Sequence, residues 1–372
     1  MPNERGAGGR LTVDLDALAT NWRTLETRAA PGETAAVVKA DGYGLGIAPV
    51  VRSLRAAGCK TFFVALPEEG VTARQHAPDA TIYILNGFFA EAAETYRQHR
   101  LRPVIGSLDE LDDVARRLGE GPGAALHVDT GMNRLGLSME EALALDPADP
   151  RLTRAGVGLL MSHPACADTP DHPLNARQTE AFSAAKAHLP ALAASLANSA
   201  GTLAGGPFLH DLARPGIALY GGCARSGEPS LRAVVRLEVR VLAVRAVKKG
   251  ESVGYGAAET LKADGRVAIL SAGYADGLLR AAGSADGHAG AAAMIAGTLC
   301  PFVGRVSMDL IAIDVSALPE ASVTRGTIAE ILNETLTVDR YGEAAGTIGY
   351  EVLTALGSRY ARSYIGDPGD TR

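Results

Sequence analysis

Thr34-Ala-Ala-Val-Val-Lys39-Ala-Asp-Gly-Tyr43-Gly-Leu-Gly46 decides how the rest of the chain is read. A run of small and β-branched residues bounded by glycines predicts a fully buried strand. This one delivers a lysine at its carboxyl end, just before a glycine-rich turn. Burying an ammonium is costly unless the group sheds its proton. A neutral amine in such a place is a nucleophile for a carbonyl carbon, including the aldehyde of a cofactor. The competing reading is a lysine that snorkels off the strand end to pair with Asp41.

Outward from Lys39 the same order recurs: apolar strand, short loop, amphipathic helix. Strand-like cores fall at 36–38, 61–65, 81–85, 103–105, 125–128, 155–161, 192–196 and 217–220. Helical stretches with exposed Arg, Glu and Gln lie between most of them, for example at 48–57, 108–118 and 175–188. Eight such units over about two hundred residues predict an N-terminal TIM-type (β/α)8 barrel. Upstream, 10–14 reads as a short strand, and Leu15, Leu18, Trp22 and Leu25 follow at helical spacing.

The rhythm changes after Gly222. From Leu231 to Val247 charged and apolar residues alternate, the period of a strand half exposed to water. Short strand-like runs recur at 266–270, 292–296, 310–315 and 327–331, separated by Gly and Pro turns, and a mixed tail closes the chain. The turn-like Gly227-Glu-Pro-Ser230 marks the boundary. The expected domains are therefore a barrel at 1–228 and a C-terminal β-strand domain at 229–372, with the strand at 10–14 a candidate to join the second.

Composition narrows the function. The net charge is −6 and no basic cluster occurs, which argues against nucleic acid and anionic membrane surfaces as partners. Cys59, Cys166, Cys223 and Cys300 are scattered without a CxxC pair, as expected of a reducing compartment and of neither a disulfide framework nor a zinc site. The polar, glycine-rich start from Met1 to Arg10 lacks the apolar stretch of a signal peptide, and no apolar run is long enough to span a bilayer. A soluble cytoplasmic protein is the expectation. Neither GxGxxG, HExxH nor GxSxG is present, so dinucleotide, metalloprotease and α/β-hydrolase chemistry have no support, and no metal is expected.

In a βα barrel the active site lies at the carboxyl ends of the strands. Polar residues of unusual chemistry collect there: Lys39 after the first strand, Asp129-Thr-Gly-Met-Asn-Arg134 after the fifth, Ser162-His163 at the sixth and Asn198-Ser199-Ala-Gly201 after the seventh. Arg214-Pro-Gly216 is read as leading into the eighth. Each has a structural alternative. His163 could be a satisfied core histidine, Asp129 and Arg134 an ion pair, and Asn198-Ser199 a helix cap. Their shared location favours a site. Ser199 and the backbone N–H groups around Gly216 suit an anion, because barrel phosphate sites are commonly built by the loops near strands seven and eight.

These segments resemble the alanine racemase family, fold-type III enzymes that use pyridoxal 5′-phosphate on a barrel joined to a β-domain. The matching stretches are the Lys39 segment, His127-Val-Asp-Thr-Gly-Met-Asn-Arg-Leu-Gly136, Ala197-Asn-Ser-Ala-Gly201 and Arg214-Pro-Gly-Ile-Ala-Leu-Tyr-Gly221. In the later half they are Val253-Gly-Tyr-Gly256, Ala272-Gly-Tyr-Ala-Asp-Gly277, Gly304-Arg-Val-Ser-Met-Asp309 and Thr347-Ile-Gly-Tyr-Glu-Val352. They occur in the family's order from Leu11 to about Tyr360. The resemblance implies that Lys39 holds the cofactor as a Schiff base and that Tyr255 is the second acid/base. Inverting a carbon needs a proton to leave one face and return on the other, so two groups must flank it. In the family the counterpart of Lys39 handles the proton of D-alanine and that of Tyr255 the proton of L-alanine. A phenol is ordinarily protonated at neutral pH. The family supports it with a histidine, matched by His163 beside the cofactor, with Arg214 beyond. The resemblance also implies that Arg214 faces the pyridine nitrogen and that Tyr43, Ser199, Gly216, Ile217 and Tyr350 hold the phosphate. Arg134 and the N–H of Met308 would hold the substrate carboxylate, with Tyr274 and Tyr350 at a narrow entrance. Tyr255, Tyr274 and Met308 reach the site from the partner subunit in the family, which implies a head-to-tail homodimer with shared sites.

One departure stands out. Some members carry a carbamylated lysine two residues before Asp129, where this chain has His127. Arg134 must then be oriented otherwise, by Asn133, Asp129 or an anion. The implied reaction is interconversion of L- and D-alanine, supplying D-alanine for peptidoglycan or catabolising it. The alternatives are a broader small-amino-acid racemase acting on serine, a decarboxylase of the same plan, and a non-enzymatic pyridoxal-phosphate-binding barrel. A decarboxylase would call for a carboxylate rather than Arg214 at the pyridine nitrogen. A binding protein would resemble the first domain alone.

Overall fold

The computed structural model describes residues 6–119 and 121–369. The polar opening 1–5, on which the expectation of no signal peptide partly rests, lies outside them. Contacts divide the described chain into two units, 18–231 with 367–369, and 232–366 with 6–17.

The first unit is the barrel. Seven parallel strands stand side by side in chain order: Ala36–Val37, Thr61–Val64, Thr81–Ile84, Leu101–Ile105, Ala124–His127, Val157–Met161 and Ala193–Ser195. They are nearly continuous apolar runs because helices cover one face and the barrel interior the other. Thr61–Val64 and Ala124–His127 are buried at every position. An eighth strand, Leu212–Ala213, closes the ring. It pairs in parallel with Glu33–Thr34, and the ladder continues as Ala35 N–H donates to Ala213 O (2.9 Å) and Val37 N–H to Pro215 O (3.0 Å). On its other side, Arg214 N–H donates to Ala197 O (2.9 Å) and the Ser195 hydroxyl to Leu212 O (2.6 Å).

The expected eighth strand at 217–220 is therefore corrected. Ile217–Tyr220 is a buried 3-10 turn, and Arg214-Pro-Gly216 follows the eighth strand instead of leading into it. A two-residue strand leaves no periodicity to read, whereas four buried apolar residues imitate one. The correction puts Arg214 and Gly216 at a carboxyl strand end, like the other candidates.

The second unit is built on Val235–Val247, whose first half alternates buried and solvated positions. That half pairs antiparallel with Gly9–Asp14 and with Ile328–Leu332. Past an irregularity between Val241 and Ala243 the strand pairs with Gly265–Leu270, which pairs in turn with Ile311–Asp314. A change of partner at a bulge lets one long strand serve two ladders. Ala361–Ile365, inside the tail read as mixed, runs parallel to Gly9–Asp14. Ser252–Val253 and Glu259–Thr260 form a small hairpin with Tyr255 in its loop. Among the described residues no helix is long and apolar enough to cross a membrane.

Candidate active site

Within the barrel unit, Lys39, Tyr43, Arg134, His163, Ser199, Arg214, Gly216 and Ile217 all sit beyond the carboxyl ends of strands. Lys39 opens a short helical segment, Lys39–Tyr43, with unusual handedness: Ala40, Asp41, Gly42, Tyr43 and Gly44 all have φ between 53° and 80°. Ala40, Asp41 and Tyr43 carry a Cβ, and each costs about 1–2 kcal/mol in a left-handed conformation. The turn persists because its polar groups are satisfied. Gly42 N–H donates to Val38 O (3.0 Å) and Gly44 N–H to Ala40 O (2.7 Å). Asp41 Oδ1 accepts Ile47 N–H (2.8 Å), and Glu69 Oε1 accepts Ala40 N–H (2.6 Å). Asp41 thus serves the next helix. Lys39 has no ion pair among the described residues, so the pairing with Asp41 is not what the structure contains. Burial, and then Arg134, hold the Lys39 ammonium below its ordinary range, against the opposing charge of Glu69.

The fifth-strand loop is organised by Asp129. Its Oδ1 accepts Gly131 N–H and Met132 N–H (both 2.8 Å), and Oδ2 accepts Arg134 N–H (3.2 Å). These N–H groups outweigh partial burial and hold the carboxyl below the usual range. Asp129 orients the main chain of Arg134 and forms no ion pair with its guanidinium, which is exposed and unpaired among the described residues. The expected ion-pair alternative is corrected accordingly.

His163 and His127 are both neutral at pH 7. For His163 the causes are burial, then Arg214, Arg134, His127 and Lys39. For His127, burial and then Arg214 and Arg134 push the imidazole down to about 4. Behind His163 lies a buried polar chain: the Thr130 and Ser162 hydroxyls meet at 2.8 Å, and Gln178 Nε2 donates to Thr130 Oγ1 (3.2 Å) and His163 O (3.0 Å). Arg214 is buried. It donates to Ser195 Oγ, Ser162 O (2.5 Å) and Leu196 O (3.4 Å). Burial pushes its guanidinium down to about 9, which leaves it protonated at neutral pH. Three of its five N–H donors are engaged in these bonds, and the others remain for an acceptor.

Asn198 Oδ1 caps the helix Ser199–Ala204 by accepting Gly201 N–H (2.9 Å), so the cap reading holds for Asn198. Ser199 acts differently: its Oγ accepts Gly216 N–H (2.8 Å) and Ala218 N–H (3.3 Å), leaving its own O–H to donate. A Cβ at Gly216 would stand 2.2 Å from the Tyr43 hydroxyl. The Tyr43 ring stacks on Tyr220 at 4.4 Å, and the Tyr220 hydroxyl is anchored on Val37 O (3.1 Å). Two hydroxyls and a backbone stripped of a side chain meet at one place, and the cations Arg214, Arg134 and Lys39 act on the same barrel mouth. These residues fit a phosphate ester.

Within the β unit, Tyr255, Met308, Tyr274 and Tyr350 are 72%, 54%, 42% and 39% exposed, which excludes a core role for them in this unit. Tyr274 N–H donates to Ser307 O (3.0 Å) and Ala275 N–H to Met308 O (2.9 Å), so these two segments are zipped together. Gly273 permits it, because a Cβ there would stand 2.3 Å from Ser307 O. The Tyr255 turn lies against the same loop, with Arg305 beside Gly256. Tyr350 is the second residue of the helix Gly349–Ala355, whose last carbonyl faces Gly277 of the Tyr274 turn. Among the described residues no cluster of His, Cys, Asp and Glu could hold a metal ion.

Three residues escaped sequence reasoning. Glu69 stands at the third position of Pro67–His76, the place of a capping-box glutamate, but with Leu66 at the N-cap only half of that signal is readable. Ser195 is a polar residue in an apolar strand, a weaker one. Gln178 lies in a helix rich in polar residues and gives none.

A closed βα barrel with a lysine at the end of its first strand, accompanied by a strand-rich unit, defines the fold-type III class of pyridoxal-phosphate proteins. The alanine racemase N-terminal domain model matches residues 13–224 and the C-terminal domain model residues 234–364. An alanine racemase of Methylobacterium sp. (strain 4-46) is 49% identical over 362 residues, covering 96% of this chain and 98% of that protein. The crystal structure of alanine racemase from Bartonella henselae, with covalently bound pyridoxal phosphate, matches with a TM-score of 0.89 at 36% identity, over 96% of this chain and all of that one. The biosynthetic alanine racemase of Pseudomonas aeruginosa matches with a TM-score of 0.89 at 35% identity, over 96% and 99% of the two chains. The chain belongs to the alanine racemase family.

Proposed function

We propose that this chain is an isomerase that interconverts L- and D-alanine with pyridoxal 5′-phosphate as cofactor. The observation that carries the reading is Lys39, an amine held below its ordinary basicity at a barrel strand end, with a phosphate-fitting cradle of Tyr43, Ser199 and Gly216 in the same mouth. Lys39 would hold the cofactor covalently. Tyr43, Ser199, Gly216, Ile217 and Tyr350 would hold its phosphate, and the remaining Arg214 donors its ring nitrogen. The cofactor, once bound, supplies the electron-withdrawing ring that acidifies the α-hydrogen of an amino acid.

The chain's own residues then manage the proton. Lys39 Nζ takes or returns it on one face of the α-carbon and the Tyr255 hydroxyl on the other. Neutral His163 offers a ring nitrogen lone pair to that hydroxyl, and Arg214 helps keep the imidazole neutral. The unpaired Arg134 guanidinium takes the substrate carboxylate together with Met308 N–H, with Tyr274 and Tyr350 narrowing the entrance. The proposal divides the labour between a barrel, 1–228, and a β-domain, 229–372, that supplies Tyr255 and Met308. The exposure of Tyr255 and Met308 supports a head-to-tail homodimer in which they serve the partner's barrel. We further propose a cytoplasmic enzyme, in keeping with four free cysteines, that supplies D-alanine for peptidoglycan precursors or catabolises it.

The test is equilibration of L-alanine to the racemate by purified protein with added cofactor. Lys39→Ala should lose the visible absorbance of the bound cofactor and slow racemisation by about 10²–10⁴-fold or more. A colourless wild-type protein, or one that releases carbon dioxide from amino acids, would overturn the reading.

A further inference from the structure

We infer that Glu69 is a positioning residue for Lys39: its single carboxylate fastens the left-handed turn after the lysine to the end of the second barrel strand, and so fixes where the amine stands. For its functional meaning the inference rests on the role proposed for Lys39. Both oxygens are engaged. Oε1 accepts Ala40 N–H (2.6 Å) and, more weakly, Asp41 N–H (3.4 Å), the first two left-handed residues. Oε2 accepts Ala65 N–H (2.8 Å) and Leu66 N–H (3.2 Å), which follow the strand Thr61–Val64. An ordinary capping-box glutamate reaches back only to its own helix start. This one continues across to the neighbouring strand end and grips the residue next to Lys39.

The surroundings of Lys39 make the grip consequential. Arg134 from the fifth-strand loop and His163 at the sixth face the amine, and Glu69 brings the opposing negative charge. Asp41 is engaged with Ile47 N–H, so it does not replace Glu69. The barrel contains the same device once more without a lysine. Glu110, at the third position of Leu108–Arg117, accepts Phe88 N–H (2.5 Å) and Gly106 N–H (2.6 Å), joining the ends of strands three and four. Glu110 therefore serves as an internal control for what such a carboxylate does for the barrel in general.

The experiment compares full-length wild type with E69A, E69Q and E110Q, using two readouts taken without cofactor. The first is hydrogen–deuterium exchange of the peptide spanning residues 38–46. The second is the pH dependence of reductive methylation of Lys39 by formaldehyde, mapped by mass spectrometry. In E69A and E69Q the Ala40 and Asp41 amides should exchange about 10-fold faster or more. Removing the negative charge should move Lys39 methylation to lower pH. E110Q should loosen Phe88 and Gly106 and leave both Lys39 readouts at wild-type values. Should E69A fail to fold, E69Q, which keeps one acceptor oxygen, decides the question. Wild-type exchange and an unmoved pH midpoint in E69Q would overturn the inference, and so would an equal Lys39 effect in E110Q. Both readouts are independent of alanine turnover, so a chain that fails to racemise alanine can still pass them.

Discussion

At the scale of single residues, chemistry here depends on which groups are denied their usual charge. Lys39 is pressed toward the neutral amine by burial and Arg134, while His163 is kept neutral by burial and by Arg214, so two nitrogens held below their ordinary basicity coexist in one barrel mouth. If Tyr255 serves one face of the α-carbon, Tyr255→Phe should slow α-deuterium exchange from L-alanine by about 10²–10⁴-fold and that from D-alanine far less. Equal losses would count against the assigned faces. His127 carries a stability prediction whose sign follows from linkage. Its imidazole titrates near 4 when folded against 6.5 ordinarily, so the unfolded chain binds a proton between those values while the folded chain does not. Stability is then full above about pH 6.5 and falls by about 3 kcal/mol on acidification to the folded pKa. Denaturant titrations from pH 7 to pH 4 should show this slope in the wild type and a shallower one in His127→Gln. Lys39 was legible as a candidate in the sequence because a cation at the end of an apolar strand conflicts with its surroundings, whereas Arg134 and Arg214 stood out through the motifs that carry them. Asp129 was visible too, but what it binds was not, since a carboxylate reads alike whether it faces a guanidinium or three N–H groups.

At the scale of elements, the strand ends matter more than the strands. The left-handed turn at Lys39–Tyr43 brings Tyr43 onto Tyr220 and its hydroxyl to Gly216, so the first strand end and the eighth form one cradle. Gly216→Ala would drive a methyl group onto that hydroxyl. The contact that a side chain at Gly216 would violate is the one with the Tyr43 hydroxyl, so the predicted loss reads out the cradle. Pyridoxal-phosphate affinity, measured by fluorescence titration, should fall about 10-fold or more, with the far-ultraviolet circular dichroism unchanged. Tyr43→Phe in the same chain should recover part of the loss. The long strands and the amphipathic helices were readable because periodicity reports burial over several residues. The eighth strand was not, because two residues carry no period. The left-handed handedness was equally hidden, since Ala40 and Asp41 give no sign of positive φ without the hydrogen bonds of Glu69.

At the scale of the whole molecule, the chain consists of a closed barrel and a strand-rich unit that takes in Gly9–Asp14 as well as the later sequence. If each active site draws Lys39 from one protomer and Tyr255 from another, two inactive variants should repair each other. Mixing Lys39→Ala with Tyr255→Phe, unfolding and refolding together, should restore about a quarter of the wild-type rate, because about half the dimers are mixed and each has one intact site. No recovery, with mixed dimers verified by mass, would place both groups in one chain. The sequence by itself determined the class of fold, the order of its units and most residues of the candidate site, because alternation, strand length and charges placed against their surroundings are local properties. Only the tertiary structure decided how the barrel closes at Leu212–Ala213, which way the chain turns after Lys39, and what Asp129, Ser199 and Glu69 hold. Those outcomes depend on hydrogen bonds between groups far apart in the chain, whose partners exist only once the strands stand side by side.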